Sequence, residues 1–286
     1  MAKRDRARTA LQAAVVLLAG LGSSWVVFRH TLYELHAAAP QPEGAVVVAV
    51  AGDVYRLSPG KHASSLAVGQ RLLPDESVRT GHGAHTDLVL GGRSRIRVAE
   101  GTQLTVREIT RKLHRFKLSR GRIAVDYEAD GERILRVESE DRGAVAEAQA
   151  ARFGMLSTGA AVAIATGSGA VRLSAHDRTV TVPAGAEALA LHGQPPSSAE
   201  PIAKSLLLRI AGAPAAATEA AVCADVRGTA SPGSEVTIDG APAAVAADGS
   251  FHVRVPAAQG RKSVLLDIRD AAGRRAHRTV PCAEAA

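Results

Sequence analysis

His82 and His85, three residues apart, come nearest to metal chemistry in this 286-residue sequence. Zinc needs three or four such ligands, and the two cysteines, Cys223 and Cys282, lie far along the chain, so no metal site is expected. A Gly-Lys pair closes the stretch Gly52–Lys61, but the spacing of a phosphate loop is missing and His62 stands where Ser or Thr is needed. The sequence contains neither a Gly-x-Ser-x-Gly elbow nor a His-Glu-x-x-His helix. The remaining serines, histidines and acids are scattered over alternating segments. The reading is a non-enzyme without cofactor or metal.

The strongest charge feature is the run containing Arg107, Arg111, Lys112, Arg115, Lys117, Arg120 and Arg122, opposed only by Glu108. These seven are the candidate anion- or partner-binding residues, suited to lipid head groups or acidic glycans. The following stretch, Asp126 to Glu147, holds eight acids against Arg133, Arg136 and Arg142. If both stretches are strands, they lie about 4.8 Å apart and their charges pair internally, which is the preferred reading. The whole-chain charge of +7 is dispersed. Nucleic acid is not an expected partner, because stacking aromatics are absent. Beyond residue 39, Tyr55, Phe116, Tyr127, Phe153 and Phe251 are the aromatics, all in strand-like patterns suited to a core.

Several kinds of element must position these residues. Thr9 to Phe28 runs 20 residues without a charge, about 30 Å as a helix, which matches a bilayer core. Lys3, Arg4, Arg6 and Arg8 precede it, which places residues 1–8 in the cytoplasm and the bulk outside. The run exceeds a signal-peptide core, and Pro40 follows the Ala37-Ala38-Ala39 triplet, so an uncleaved anchor is expected. A juxtamembrane linker, 29–44, follows.

Residues 45–192 alternate apolar and polar side chains in short segments, as in Leu88/Leu90, Ile96/Val98, Leu104/Val106, Phe116/Leu118, Ile123/Val125/Tyr127 and Val171/Leu173. Turn signals separate them at Gly91-Gly92, Glu100-Gly101, Arg120-Gly121, Asp130-Gly131 and Gly167-Ser168-Gly169. The class is therefore all-β, a solenoid, sandwich or barrel. The alanine-rich stretch 143–151 is the exception and reads as helical. Residues 193–204 read as a linker and 205–286 as a second β domain. In that domain Leu206, Leu208 and Ile210 suggest a first strand, and 211–217 an irregular stretch.

Val78-Arg79-Thr80-Gly81-His82-Gly83-Ala84 with Asp87-Leu88-Val89-Leu90 resembles the "VRTGxxSxAxLxL" pattern of FecR domains. Leu66 to Leu72, Ser94 to Thr105, Phe116 to Val125 and Gly167 to Val171 extend the similarity in order, over about 46–191. The resemblance implies a compact β-solenoid of stacked short strands, with His82 and His85 in a turn. The family's regulators place an anti-sigma segment before the membrane helix. Only eight residues stand there in this sequence, so sigma-factor control is not carried over. Arg227-Gly228-Thr229-Ala230-Ser231-Pro232-Gly233 through Gly240, with Ala247-Asp248-Gly249-Ser250-Phe251, is similar to bacterial Ig-like repeats and implies a β-sandwich.

The expected protein is thus held in the bacterial inner membrane by 9–28, with its bulk in the periplasm. There it binds or scaffolds, and its expected partners are other envelope or inner-membrane proteins, or the cell wall. The alternative is a sensory module signalling through a membrane partner. Cys223 and Cys282 bracket the second domain in an oxidising compartment and are expected to form a disulfide.

Overall fold

The computed structural model describes residues 44–129, 131–140, 143–214, 222–256 and 262–282. The anchor and its flanks fall outside these residues. Among the described residues, no helix is long and apolar enough to cross a membrane. All of the described regular structure is β.

The alternating segments of the first part form one 16-stranded sheet folded into two layers. One layer contains Ala45–Ala51, His85–Leu90, Ser94–Val98, Ala150–Ser157 and Ala186–Leu191. The other contains Val54–Leu57, Ser77–Thr80, Gln103–Ile109, Ile134–Ser139, Ala144–Ala148 and Arg178–Pro183. Pairing is antiparallel throughout, except that Ile134–Ser139 runs parallel to Leu113–Leu118. Two bent layers, rather than a regular stack of rungs, therefore enclose the core.

Two long strands, Leu113–Glu128 and Ala161–Ala175, belong to both layers. Their crossing points explain why glycines that look like turn signals do not end a strand. Phe116 and Leu118 face the core from even positions, whereas Ile123, Val125 and Tyr127 face it from odd ones. A one-residue slip exchanges the faces of a strand, so the phase must change once for both halves to point inward. It changes at Ser119–Gly121, where the register against Gln103–Leu104 shifts and Gly121 takes φ +85°. The second long strand makes the same change near Gly167–Gly169. Glycine inside a strand here marks a bulge and a bend.

The helical expectation for 143–151 is corrected. Ala144–Ala148 and Ala150–Ser157 are strands. Ala144, Ala146 and Ala148 point into the core, while Glu147 between them is held by Arg136 and Arg172 on the neighbouring strands. The ladder outweighs alanine's helical preference, because intrinsic propensity is weak beside tertiary pairing. The expected linker also proves attached. Glu200–Pro201 pairs with Ala186–Glu187, and the Ser197 N–H bonds to the Leu189 carbonyl at 2.8 Å.

In the C-terminal part, Leu208–Pro214, Val222–Ala230 and Ser250–Pro256 form a three-stranded sheet. The first of these strands runs through the start of the stretch expected to be irregular. Ala241–Ala243, Glu235–Ile238, Ser263–Arg269 and Arg275–Pro281 form a four-stranded sheet. Val226, Phe251 and Val255 from the first sheet share a core with Val236, Ile238, Leu266 and Ile268 from the second.

Candidate interdomain binding site

Glu100 follows the strand Ser94–Val98, on the turn closed by Gly101 at φ +62°. One carboxylate oxygen accepts the Gly83 N–H at 2.7 Å, and His82 Nδ1 stands 3.5 Å from the same oxygen. The other oxygen receives Arg269 Nη1 at 3.0 Å and Arg275 Nη2, both from the C-terminal sheets. Arg269 also donates through Nε to Glu235 at 2.6 Å. Burial raises the pKa of Glu100, but the Gly83 N–H and the two guanidinium charges outweigh it, so the carboxyl lies below its ordinary range. A cleft of about 490 Å³ opens beside this network, bordered by His82, Glu100, Arg120, Asp267 and Arg269, with Pro242 to Val245 forming an apolar wall. The cleft thus sets polar groups of both signs beside an apolar wall. Among the described residues, no three His, Cys, Asp or Glu side chains group closely enough to hold a metal.

The seven bases of the sequence run do not converge. Alternation sends Arg115 and Lys117 to the outer face of one layer, and the bend carries Arg122 to the other. Arg107 meets Asp75 at 2.8 Å, Arg115 lies 3.7 Å from Glu138, and Lys117 meets Glu140 at 2.7 Å. Arg111 and Lys112 sit exposed at a strand end, and Arg120 stands at the rim of the cleft. Arg122 donates through Nε to the Ala271 carbonyl at 3.1 Å; burial lowers its pKa.

Cross-strand register explains the pairing. Arg115, Arg136, Glu147 and Arg172 lie in one row, so Glu147 receives guanidiniums from both sides. Lys117→Glu is expected to cost about 0.2–1 kcal/mol of stability, because Glu140 then faces a like charge. Urea unfolding and co-sedimentation with anionic vesicles check this. A normally folded variant that loses vesicle binding would return Lys117 to an anion site.

A second buried titratable pair lies inside the sheet. His114 is 2 % exposed, and the Tyr127 hydroxyl stands 3.2 Å from its Nδ1. Burial, and after it the charge of Arg133, lowers the His114 pKa to about 4, while burial pushes Tyr127 up to about 12. The folded chain binds the His114 proton less readily than the unfolded chain does. Stability is therefore full above about pH 6.5 and falls as the pH drops towards 4, by up to about 3 kcal/mol. Urea midpoints at pH 7 and pH 4.5 should differ in the native chain, and the difference should shrink for His114→Phe, with carboxyls of lowered pKa such as Glu100 accounting for what remains. An unchanged difference in that variant would move the effect to other groups.

Sequence reasoning read Glu100 only as a turn residue and passed over Arg269 and Gly154, whose Cβ position the Ala271 carbonyl occupies; these partners are distant in the chain. One signal was present for Gly154: Phe153-Gly154-Met155-Leu156 lacks polar alternation, as a strand covered on both faces does.

Residues 76–172 match the family model described as FecR protein. Two crystal structures of a provisionally assigned anti-sigma factor from Parabacteroides distasonis ATCC 8503 are similar at 12% and 13% identity, each with a TM-score of 0.38. Each similarity covers 43% of this chain and 59% of the other. A polysaccharide lyase aligns at 10% identity with a TM-score of 0.21, covering 84% of this chain and 39% of the lyase. No curated protein matches the chain significantly.

Proposed function

The chain carries a FecR domain over residues 76–172, and from that premise we propose that it is a non-catalytic binding and scaffolding protein of the bacterial envelope. In this reading residues 9–28 anchor it in the cytoplasmic membrane, and the FecR domain and an Ig-like sandwich work together on the extracytoplasmic side. The observation that carries the proposal is the joint surface around Glu100. Side chains 169 residues apart in sequence, Glu100 and Arg269, meet there beside an open cleft. A cleft whose two walls come from different sheets recognises a partner only while those walls are held together. The partner proposed for it is a segment of another envelope or inner-membrane protein, held by the polar rim and the apolar wall together.

The FecR match also favours a second reading, a sensory module that passes an extracytoplasmic signal to a membrane partner. Crosslinking in intact envelopes, followed by isolation of the chain, separates the two. Wall fragments or structural envelope proteins support scaffolding. A stable partner with its own cytoplasmic regulatory domain supports sensing. Recovery of the chain alone, with the cleft variant Arg120→Glu giving the same pattern, would sink both.

A further inference from the structure

Burial alternates along most strands of the large sheet, but every residue from Phe153 to Ser157 is buried. Phe153 and Met155 belong to the core between the layers. Gly154 and Leu156 therefore lie on the opposite face, which in a two-layer protein ordinarily meets water. The cover is the C-terminal sandwich. Leu156 and Ala165 cluster with Ala271, whose carbonyl receives the Arg122 hydrogen bond and lies where a methyl group on Gly154 would sit. Two sandwich glycines leave room in the same way, Gly233 for the Leu189 side chain and Gly273 for the Arg122 guanidinium. Glycines on both sides of one contact allow a closer approach than side chains would permit.

The apolar centre of this contact is small: among the described residues its buried hydrophobics are Leu156, Ala165 and Ala271. Its rim is ionic: Glu100 holds Arg269 and Arg275, and Arg274 reaches Glu187 and the Ala203 carbonyl. Contacts between domains that are polar and of limited apolar area are those that open. We infer that the sandwich is a releasable cover, seated in cis on a FecR-domain face centred on Gly154 and Leu156, and that Glu100 latches it. Release uncovers a patch paved with Leu156, Ala163 and Ala165. The partner that fits this patch is a protein presenting a tight turn, with a backbone carbonyl for Arg122 and a guanidinium for Glu100, as the sandwich does.

Thiol labelling of the full chain in detergent micelles tests the latch. Leu156→Cys reports on the covered face, and Leu118→Cys, in the core between the layers, reports on unfolding. In the otherwise native chain both thiols should react slowly. Adding Glu100→Gln should speed labelling at 156 by about tenfold or more, the effect of weakening charge-assisted hydrogen bonds, and leave 118 unchanged. Arg275→Ala, from the exposed arm of the latch, should act in the same direction. Rapid labelling at 156 without either change, rates at 156 indifferent to both changes, or rates at 156 and 118 rising together would each overturn the inference.

Discussion

Gly121→Ala is expected to unfold a large fraction of the chain, or to lower its melting midpoint by roughly 10 °C. Gly121 stands where the strand Leu113–Glu128 passes between the layers, at φ +85°. A Cβ there would lie 2.6 Å from the Thr102 Cα, on a fully buried residue. Thr102 cannot retreat easily. Its Oγ1 accepts the Arg122 N–H at 3.0 Å, and its own N–H bonds to Thr80 Oγ1 at 3.0 Å. Left-handed strain of about 1–3 kcal/mol adds to overpacking of similar size, so the cost is about 2–6 kcal/mol. Gly159 is the control, since it also has positive φ (+86°) but open space around its Cβ position. Gly159→Ala should bear the strain alone. Calorimetric midpoints that fall equally in the two variants would show that Thr102 does not define the bend.

Reduction of the cysteines is expected to have the next largest effect. Cys282 follows the strand Arg275–Pro281, and its N–H bonds to the Lys262 carbonyl at 2.9 Å. It packs against the C-terminal core. Cys223 lies in the strand Val222–Ala230, which contacts Arg275–Pro281 although the two strands belong to different sheets; its side chain falls outside the described residues. A bridge between Cys223 and Cys282 would fasten one sheet of the sandwich to the other. Closing a loop of about 60 residues should stabilise it by about 4 kcal/mol. Urea midpoints with and without reductant measure the effect. Two reactive thiols in denatured, unreduced protein taken from its native compartment would remove the bridge, and the expected topology with it.

Much of the β architecture was legible because its signal is local. Ile96/Val98, Leu104/Val106 and Phe116/Leu118 alternate with polar neighbours, and all six are buried. Gly91, Gly92 and Gly101 take the positive φ that their turns require. The seven-base run and the acids after it were visible as charge. The pairing of Arg115 with Glu138 and of Lys117 with Glu140, while Arg107 turns to Asp75 instead, followed only from register and from one parallel pairing. The alanine-rich stretch misled because helix propensity is weak beside a ladder partner elsewhere in the chain.

The sequence by itself determined that short amphipathic strands with glycine punctuation would make an all-β protein, since period-two burial is written in neighbouring residues. It also determined the FecR resemblance, which rests on ordered local motifs. Only the tertiary structure decided that Gly121 and Gly167–Gly169 bend strands rather than end them, because that depends on which layer each half-strand joins. Only the tertiary structure brought Arg269 and Arg275 to Glu100, and Ala271 to Gly154. Those contacts span more than a hundred residues, and no local pattern encodes which face of one sheet will meet which turn of another.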